Sequence, residues 1–557
     1  MKKALLIVLA LALVATVFVS CQGEPKTVTV TFYPGDAEGA AYTQSVPVGV
    51  ETNLAKNRFE KEGYRFNGWS LSPTGGNDYY DEAPVKLTAD TNLYAVWAKT
   101  YTIKAEEATG GSLTPVAVSY IESKATQSVK VNIEHDENHY LSGVSLAGSK
   151  NTQAFFFLTR LYIPAGSSGD IVMTPTFEVK PATVNYMYAE WDAEKSEVVE
   201  TIMTVASKDY ALVKSSTKNL NNGIYVVVSD VEIDSRMTVS GDVTLIILDG
   251  KALKADKGIT VPKESKLSIF GQGNGTGKLI IDNNDLSGYA GIGGDDKSDC
   301  GEIVIGGGII TAEGGPNGAG IGGGASRKAG TVTILKGTVD ARGGESGAGI
   351  GGGLNADGGT INIYGGTVDA TGAANGAGIG GGNGGAGGTI LLAGGTIKAT
   401  NSTEGLRGGA GIGGGNTGKG GDITISGATI EAHGGDGGAG IGAGVGGEDG
   451  GKVTITDGDV KSTGGRGAAG IGGGWRGSGA DVTINGGKID ITGGKGNVDI
   501  DVPWHNSAIG KGFHSGSEVE DKALDLGGGV SLVTQGKDET EWKPWDGNSR
   551  PFKMKTN

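Results

Sequence analysis

From residue 288 to 494, aliphatic residues come in short runs of period two, and the runs return about every 29 residues. An Ala-Gly-Ile-Gly element marks the period. Its isoleucines are Ile292, Ile321, Ile350, Ile379, Ile412, Ile441 and Ile471, at intervals of 29, 29, 29, 33, 29 and 30. A second run follows each of them: Ile303/Ile305, Val332/Ile334, Ile361/Ile363, Ile390/Leu392, Ile423/Ile425, Val453/Ile455, Val482/Ile484. A third closes the unit: Ile310/Ala312, Val339/Ala341, Val368/Ala370, Ile397/Ala399, Ile430/Ala432, Val460/Ser462, Ile489/Ile491. Alternation places both members of a pair on one face of a strand. Three short strands parted by glycines describe one coil of a triangular solenoid. A single coil cannot bury its apolar face, but stacked coils share a core. The coils would rise about 4.8 Å each, and glycines at the corners supply the positive φ of tight bends.

The pattern therefore predicts a right-handed parallel β-helix over 239–497, with less regular first coils at 243–248, 259–261, 267–270 and 279–281. The interval of 33 predicts a protruding loop around 401–407. After residue 496 only Ala508-Ile509-Gly510 repeats the unit, and Trp504, Trp542 and Trp545 suit a C-terminal cap over 498–557. Hexapeptide solenoids have shorter coils, the calcium-binding nonapeptide needs an Asp that is missing, and leucine-rich repeats need a leucine ladder. In fold class the repeat resembles pectate-lyase-like β-helices, and it is closer to bacterial surface proteins with GAGIGGG repeats.

Upstream the period is absent. Residues 27–98 open with alternating Val28, Val30 and Phe32, continue through Gly63-Tyr64-Arg65-Phe66-Asn67-Gly68-Trp69, and end in Leu93-Tyr94-Ala95-Val96-Trp97. Tyr64, Phe66, Trp69 and Trp97 read as core. The segment resembles the Listeria–Bacteroides repeat of internalin B and other bacterial surface proteins. That likeness implies a small β-grasp-like module used as a spacer or interaction element. Residues 99–180 resemble a divergent second copy through Tyr101-Thr102-Ile103, Gly110-Gly111-Ser112-Leu113 and Thr174-Pro175-Thr176-Phe177, with Phe155, Phe156 and Phe157 as a buried strand. Residues 181–238 are expected to cap the solenoid, with a helix in 189–206 and a strand entry over 219–233.

The first residues carry an address. Lys2 and Lys3 precede an apolar run over 4–19, shorter than the ~20 residues of a spanning helix, so it reads as a signal peptide. It ends in Phe18-Val19-Ser20-Cys21, which resembles a bacterial lipobox with Phe where Leu is usual. The resemblance implies a lipid anchor on Cys21. Gln22 replaces the Asp that retains many lipoproteins at an inner membrane, so the expected place is the outer membrane or cell surface. Cys300 is the only other cysteine, which excludes an intramolecular disulfide in the mature chain. The 107 glycines suit a tightly turning repeat, and a net charge of −15 without a basic block argues against nucleic acid. A monomer is expected.

Candidate chemistry is sparse. Outward positions of the third strands form a ladder of Thr311, Asp340, Asp369, Lys398, Glu431, Lys461 and Asp490. Asp340 and Asp369 become adjacent carboxylates with Arg342 on the same face. Such a pair about 5 Å apart suits glycoside hydrolysis, or lyase chemistry with Ca²⁺; a solvated charge ladder is the plainer reading. Asp295, Asp296, Asp299 and Glu302 lie close enough in sequence for a Ca²⁺ site, against a solvated acidic loop. His135 and His139 lack a zinc motif, and Cys300 lacks a partner at motif distance. Trp475-Arg476 is a candidate sugar contact or a cover for the stack. Outward Thr333, Thr424, Thr454 and Thr483 read as single threonines, not an ice-binding array. The favoured function is a non-catalytic surface lipoprotein that binds a glycan or cell-surface protein, or acts as a scaffold without any cofactor. The rivals are a polysaccharide lyase or hydrolase using Asp340, Asp369 and Arg342, and a passive envelope spacer.

Overall fold

The computed structural model describes residues 26–148, 153–283, 285–402, 407–494, 507–512, 523–527, 530–535, 541–546, 551 and 553–556. The leader with Cys21, most of the 401–407 insertion, Trp504, His505 and His514 lie outside them. The regular secondary structure of the described residues is strand apart from one 3₁₀ turn, Ser207–Asp209, and no helix among them is long and apolar enough to cross a membrane.

The repeat is a parallel β-helix. Each Ile-Gly strand pairs in parallel with the next, from Ile292–Gly293 through Ile471–Gly472 to Ile509–Gly510. The second and third strands do the same, so a coil has three strands. Every aliphatic residue of the three series is buried in one continuous core. The corner after each isoleucine depends on its glycine. Gly322, Gly351, Gly380 and Gly413 hold φ of +130° to +131°, and a Cβ on any of them would strike the carbonyl oxygen of the matching glycine one coil on. Backbone bonds link the coils here: Ile379 N–H donates to Gly411 O at 3.0 Å and Gly381 N–H to Gly413 O at 2.9 Å.

The stack begins earlier than expected. Tyr210–Leu212, Asn219–Val227, Val231–Ile233 and Met237–Ile247 are already rungs, so residues 210–238 are coil rather than cap. These coils differ in length from the later ones, which hid them from a periodic reading. At the other end, Leu524–Leu526 continues the parallel ladder on the strand Asp481–Ile484. The direction then reverses: Lys553–Thr556 runs antiparallel to Lys488–Thr492 and to Leu532–Gln535. Trp545 is half-buried on the end of the core, as a cap requires. Trp542 lies under Lys555 Nζ, 4.2 Å from its ring centroid. The 401–407 insertion starts from Asn401, whose buried amide donates to the carbonyls of Ala373 and Gly376.

Residues 189–206 form no helix. Thr183–Asp192 and Glu197–Ala206 make an antiparallel hairpin with ten residue pairs. Val198, Val199, Thr201, Ile202, Thr204 and Val205 are β-branched, which favours strand over helix. Asp192 accepts bonds from Glu194 N–H and Lys195 N–H to close the turn. The hairpin lies along the flank of the β-helix as an arm. Tyr186 and Tyr188 meet Phe270, Glu200 pairs with Lys336, and Trp191 stacks on Tyr364 at 4.3 Å.

The two N-terminal modules share one strand, Thr91–Ala105. Its first half pairs with Thr27–Tyr33 and Tyr64–Ser70, and its second with Ser119–Ile121 and Ile171–Val179. Phe32, Leu54, Trp69 and Leu93 fill the first core; Val131, Leu161, Ile163 and Met173 fill the second. Two expectations fail here. Tyr64 is 37% exposed under Lys61 Nζ, because it begins its strand rather than crossing the core. Phe155 and Phe157 are each about half exposed, because they alternate with inward Phe156 on an edge strand. The likeness to a β-grasp is also limited, since no helix packs on either sheet among the described residues.

The corner glycines give a direct test. Gly380→Ala should lower the unfolding free energy from urea melts by about 2 kcal/mol, and the midpoint with it, from left-handed strain and a lost close approach. Gly273→Ala, at an open site with no positive φ, should leave it unchanged; equal midpoints for the two variants would contradict the stacked corner.

Candidate functional site

The third-strand ladder forms in the expected order: Thr311, Asp340, Asp369, Lys398, Glu431, Lys461 and Asp490 are paired coil to coil. Asp340 and Asp369 are adjacent. Each already faces a cation. Arg342 Nε and Nη2 donate to the two Asp340 oxygens at 3.1 and 2.9 Å, and Lys398 Nζ lies 3.6 Å from Asp369. A bidentate Arg–carboxylate pair is among the stronger side-chain contacts. Further along, Glu431 accepts from Lys461 at 3.0 Å and meets His433 at 3.1 Å, and these two bonds hold its carboxyl below the usual range. From Asp369 to Asp490 the rungs alternate in sign, which is favourable across neighbouring strands, while the like-charged step from Asp340 to Asp369 is offset by Arg342.

The acid set apart is one the sequence reading passed over. Glu313 pairs with Asp282 in the coil before and Arg342 in the coil after. Burial raises its carboxyl pKa, Asp282 and Asp340 raise it further, and Arg342 opposes them. Column neighbours two residues beyond the central ladder would have pointed to it.

The acids proposed for Ca²⁺ are each engaged separately. Asp295 accepts from Lys297 N–H, Ser298 N–H and Ser298 Oγ. Asp296 lies near Tyr289 and raises its hydroxyl pKa, Asp299 accepts Lys328 N–H, and Glu302 pairs with Lys266 one coil back at 2.8 Å. The acids that do converge among the described residues are Glu232, Asp234 and Asp256. They are matched by bases: Lys130 pairs with Asp234, Thr159 and Arg160 bond Glu232, and Lys254 Nζ reaches Glu232 at 3.0 Å and Asp256 at 2.9 Å. Glu232 is buried, yet these partners outweigh burial and depress its pKa. Lys130, Thr159 and Arg160 belong to the second module, so this cluster latches module to helix. Lys214 Nζ adds bonds to the carbonyls of His135 and Asp136, both 3.1 Å.

Trp475 does not close the end of the stack, because Ile509–Gly510 adds a further rung. It is half-buried against the glycine corners at Gly437 and Gly467, with Arg476 4.1 Å over its ring. Arg476 sits at φ +67°, and its guanidinium occupies an indole face that a sugar would use. His139 bonds Asp136 through Nδ1 at 2.8 Å, while His135 bonds the Asp136 carbonyl; the two imidazoles do not share a ligand position. Cys300 is buried, which pushes its thiol up to about 12.

Threonines are more regular than the sequence reading allowed. Besides Thr333, the second strands present Thr331, Thr360 and Thr389 in one column, so Thr331 and Thr333 form one Thr-x-Thr pair. The third strands present Thr338, Thr367, Thr396 and Thr429 in another.

With this geometry in place, the comparisons fall on the two repeat regions. Residues 29–96 match the Listeria-Bacteroides repeat domain. Residues 332–354, 361–383, 423–445 and 453–475 match the Beta helix repeat. No curated protein and no solved structure matches the chain. The two repeat types together fit a surface-type repeat protein.

Glu313 supplies a pH test. Its folded pKa lies above the ordinary value, so folding favours the neutral acid. The stabilising effect is present at low pH and is lost as pH rises through the raised value. Glu313→Gln should therefore raise the thermal midpoint at pH 7.5, and the advantage should fade below pH ~4, the ordinary glutamate range; a midpoint difference independent of pH would refute the assignment.

Proposed function

We propose that this chain is an exported lipoprotein, anchored through Cys21, whose β-helix serves as a non-catalytic binding scaffold for glycans or a cell-surface protein. The observation that carries the reading is the neutralised ladder. Asp340 is clamped by Arg342 and Asp369 is opposed by Lys398, so the two carboxylates most open to catalysis are committed to holding the face together. The build of the N-terminal region supports display. The strand Thr91–Ala105 runs through both modules, and the latch around Glu232 joins the second module to the first coils. A stiff support of this kind carries a binding surface away from a membrane anchor. The match of residues 29–96 to a repeat named for bacterial genera is consistent with a bacterial envelope.

A second reading has one observation in its favour. Glu313, with its raised carboxyl pKa beside Asp282, has the pairing of a general acid with a neighbouring carboxylate. It competes with the binding scaffold as a polysaccharide hydrolase or lyase.

Three measurements separate these readings. Protease added to intact cells should remove the chain, and Cys21→Ala should move it from the membrane fraction to the soluble one. Purified protein should be retained on a glycan array without releasing reducing sugar or unsaturated product. Product formation that Glu313→Gln or Asp369→Ala abolishes would establish the enzyme instead. Failure to bind any glycan or cell surface would leave a passive spacer.

A further inference from the structure

At the corner between the second and third strands the arm, a turn and a regular polar column meet. A cleft of about 320 Å³ lies there, lined by Met187 and Glu200 of the arm, Gln272 and Asn274 of a turn, and Lys336 and Thr338 of a later coil. Its floor is the backbone of Gly306, Gly307 and Gly308. Thr338 is also the first rung of the column Thr338, Thr367, Thr396 and Thr429, each paired with the next coil and each exposed. The cleft thus opens onto a row of hydroxyls running parallel to the helix axis. Trp191 stands beside that row at the arm tip, half-buried on Tyr364 in the coil that carries Thr367.

The chemistry of this track selects its occupant. Hydroxyls spaced about 4.8 Å apart can each donate and accept, which suits a polymer whose own hydroxyls recur along its length. Formal charge along the track is balanced, because Lys336 pairs with Glu200 and Lys398 with Asp369. A polyanion would need uncommitted cations there. The glycine corners at 365–366 and 394–395 place no side chain across the path, and an aromatic ring beside it offers an apolar face of the kind on which sugar rings rest. We propose that the cleft and the threonine column form a binding track for a neutral, unbranched polysaccharide lying along the helix axis. The proposal rests on the binding-scaffold reading and narrows it to one ligand class and one face.

Affinity electrophoresis of the full chain in native gels tests it, with a linear β-glucan, an unsubstituted mannan and an unsubstituted xylan as neutral probes and polygalacturonate as the polyanion. At least one neutral polysaccharide should retard the protein. Thr367→Arg/Thr396→Arg should weaken that retardation at least tenfold, and Thr367→Val/Thr396→Val, which removes the hydroxyls at nearly constant volume, should weaken it severalfold. Thr424→Arg/Thr454→Arg, on the second-strand face, should leave it unchanged. Retardation that survives both Thr367/Thr396 variants overturns the track while leaving glycan binding intact. Equal loss in the second-strand variant, or retardation by polygalacturonate alone, also overturns it. No retardation by any polysaccharide overturns the track and the glycan half of the scaffold reading together.

Discussion

The structure depends on a backbone contact that only glycine permits. At each Ile-Gly corner the chain turns at φ near +131°, and the space where a Cβ would stand is filled by the carbonyl of the glycine one coil on. The isoleucine beside it points inward and is fully buried. One dipeptide therefore sets the bend, the closeness of the coils and the filling of the core. Its repetition explains why 107 glycines accompany order rather than disorder. It also fixes register, because a slip of one residue would put a side chain into the backbone of the neighbouring coil.

Fixed register turns the outside of the helix into columns, and the columns carry the functional argument. A charge in one coil meets the same position of the next at strand spacing, so Lys398 answers Asp369 and Lys461 answers Glu431. Each exposed pair contributes little alone. Their combined effect is to pair the acids of the central column, while the column beside it is uncharged from Thr338 to Thr429 and then continues as the ion pair Asp459–Lys488. The binding-scaffold proposal rests on this division between a paired charged column and a hydroxyl column.

Legibility in the sequence followed the same division. Whatever repeats was readable: every buried pair of the second and third strands and every rung of the charged ladder stands where the period puts it. Features that arise from contacts between distant, non-repeating segments were not. Thr159 meets Glu232 across 73 residues, and no spacing announces it. The first coils have irregular lengths, so no period marks residues 210–238 as part of the stack. The helix expected in 189–206 yields to a hairpin because β-branched residues dominate its second half. The threonine column is not evident from one outward position per strand, because each third strand presents several outward positions and only the register shows which of them align.

The columns also say where the flank is covered. At the position following each second strand stand Phe270, Leu335 and Tyr364 in the coils beneath the arm, and then Ala393, Ser426, Thr456 and Asn485 in the coils beyond it. The change from large apolar to small or polar side chains coincides with the reach of the hairpin, because a ring in that position needs a partner to shield it from water. Gly306 interrupts the apolar stretch for a local reason: a Cβ there would collide with the Phe270 ring. A column read coil by coil thus distinguishes surface that the chain itself occupies from surface left to solvent. The exposed threonine rungs Thr396 and Thr429 belong to the coils whose flank positions are Ala393 and Ser426, and so fall in the second kind.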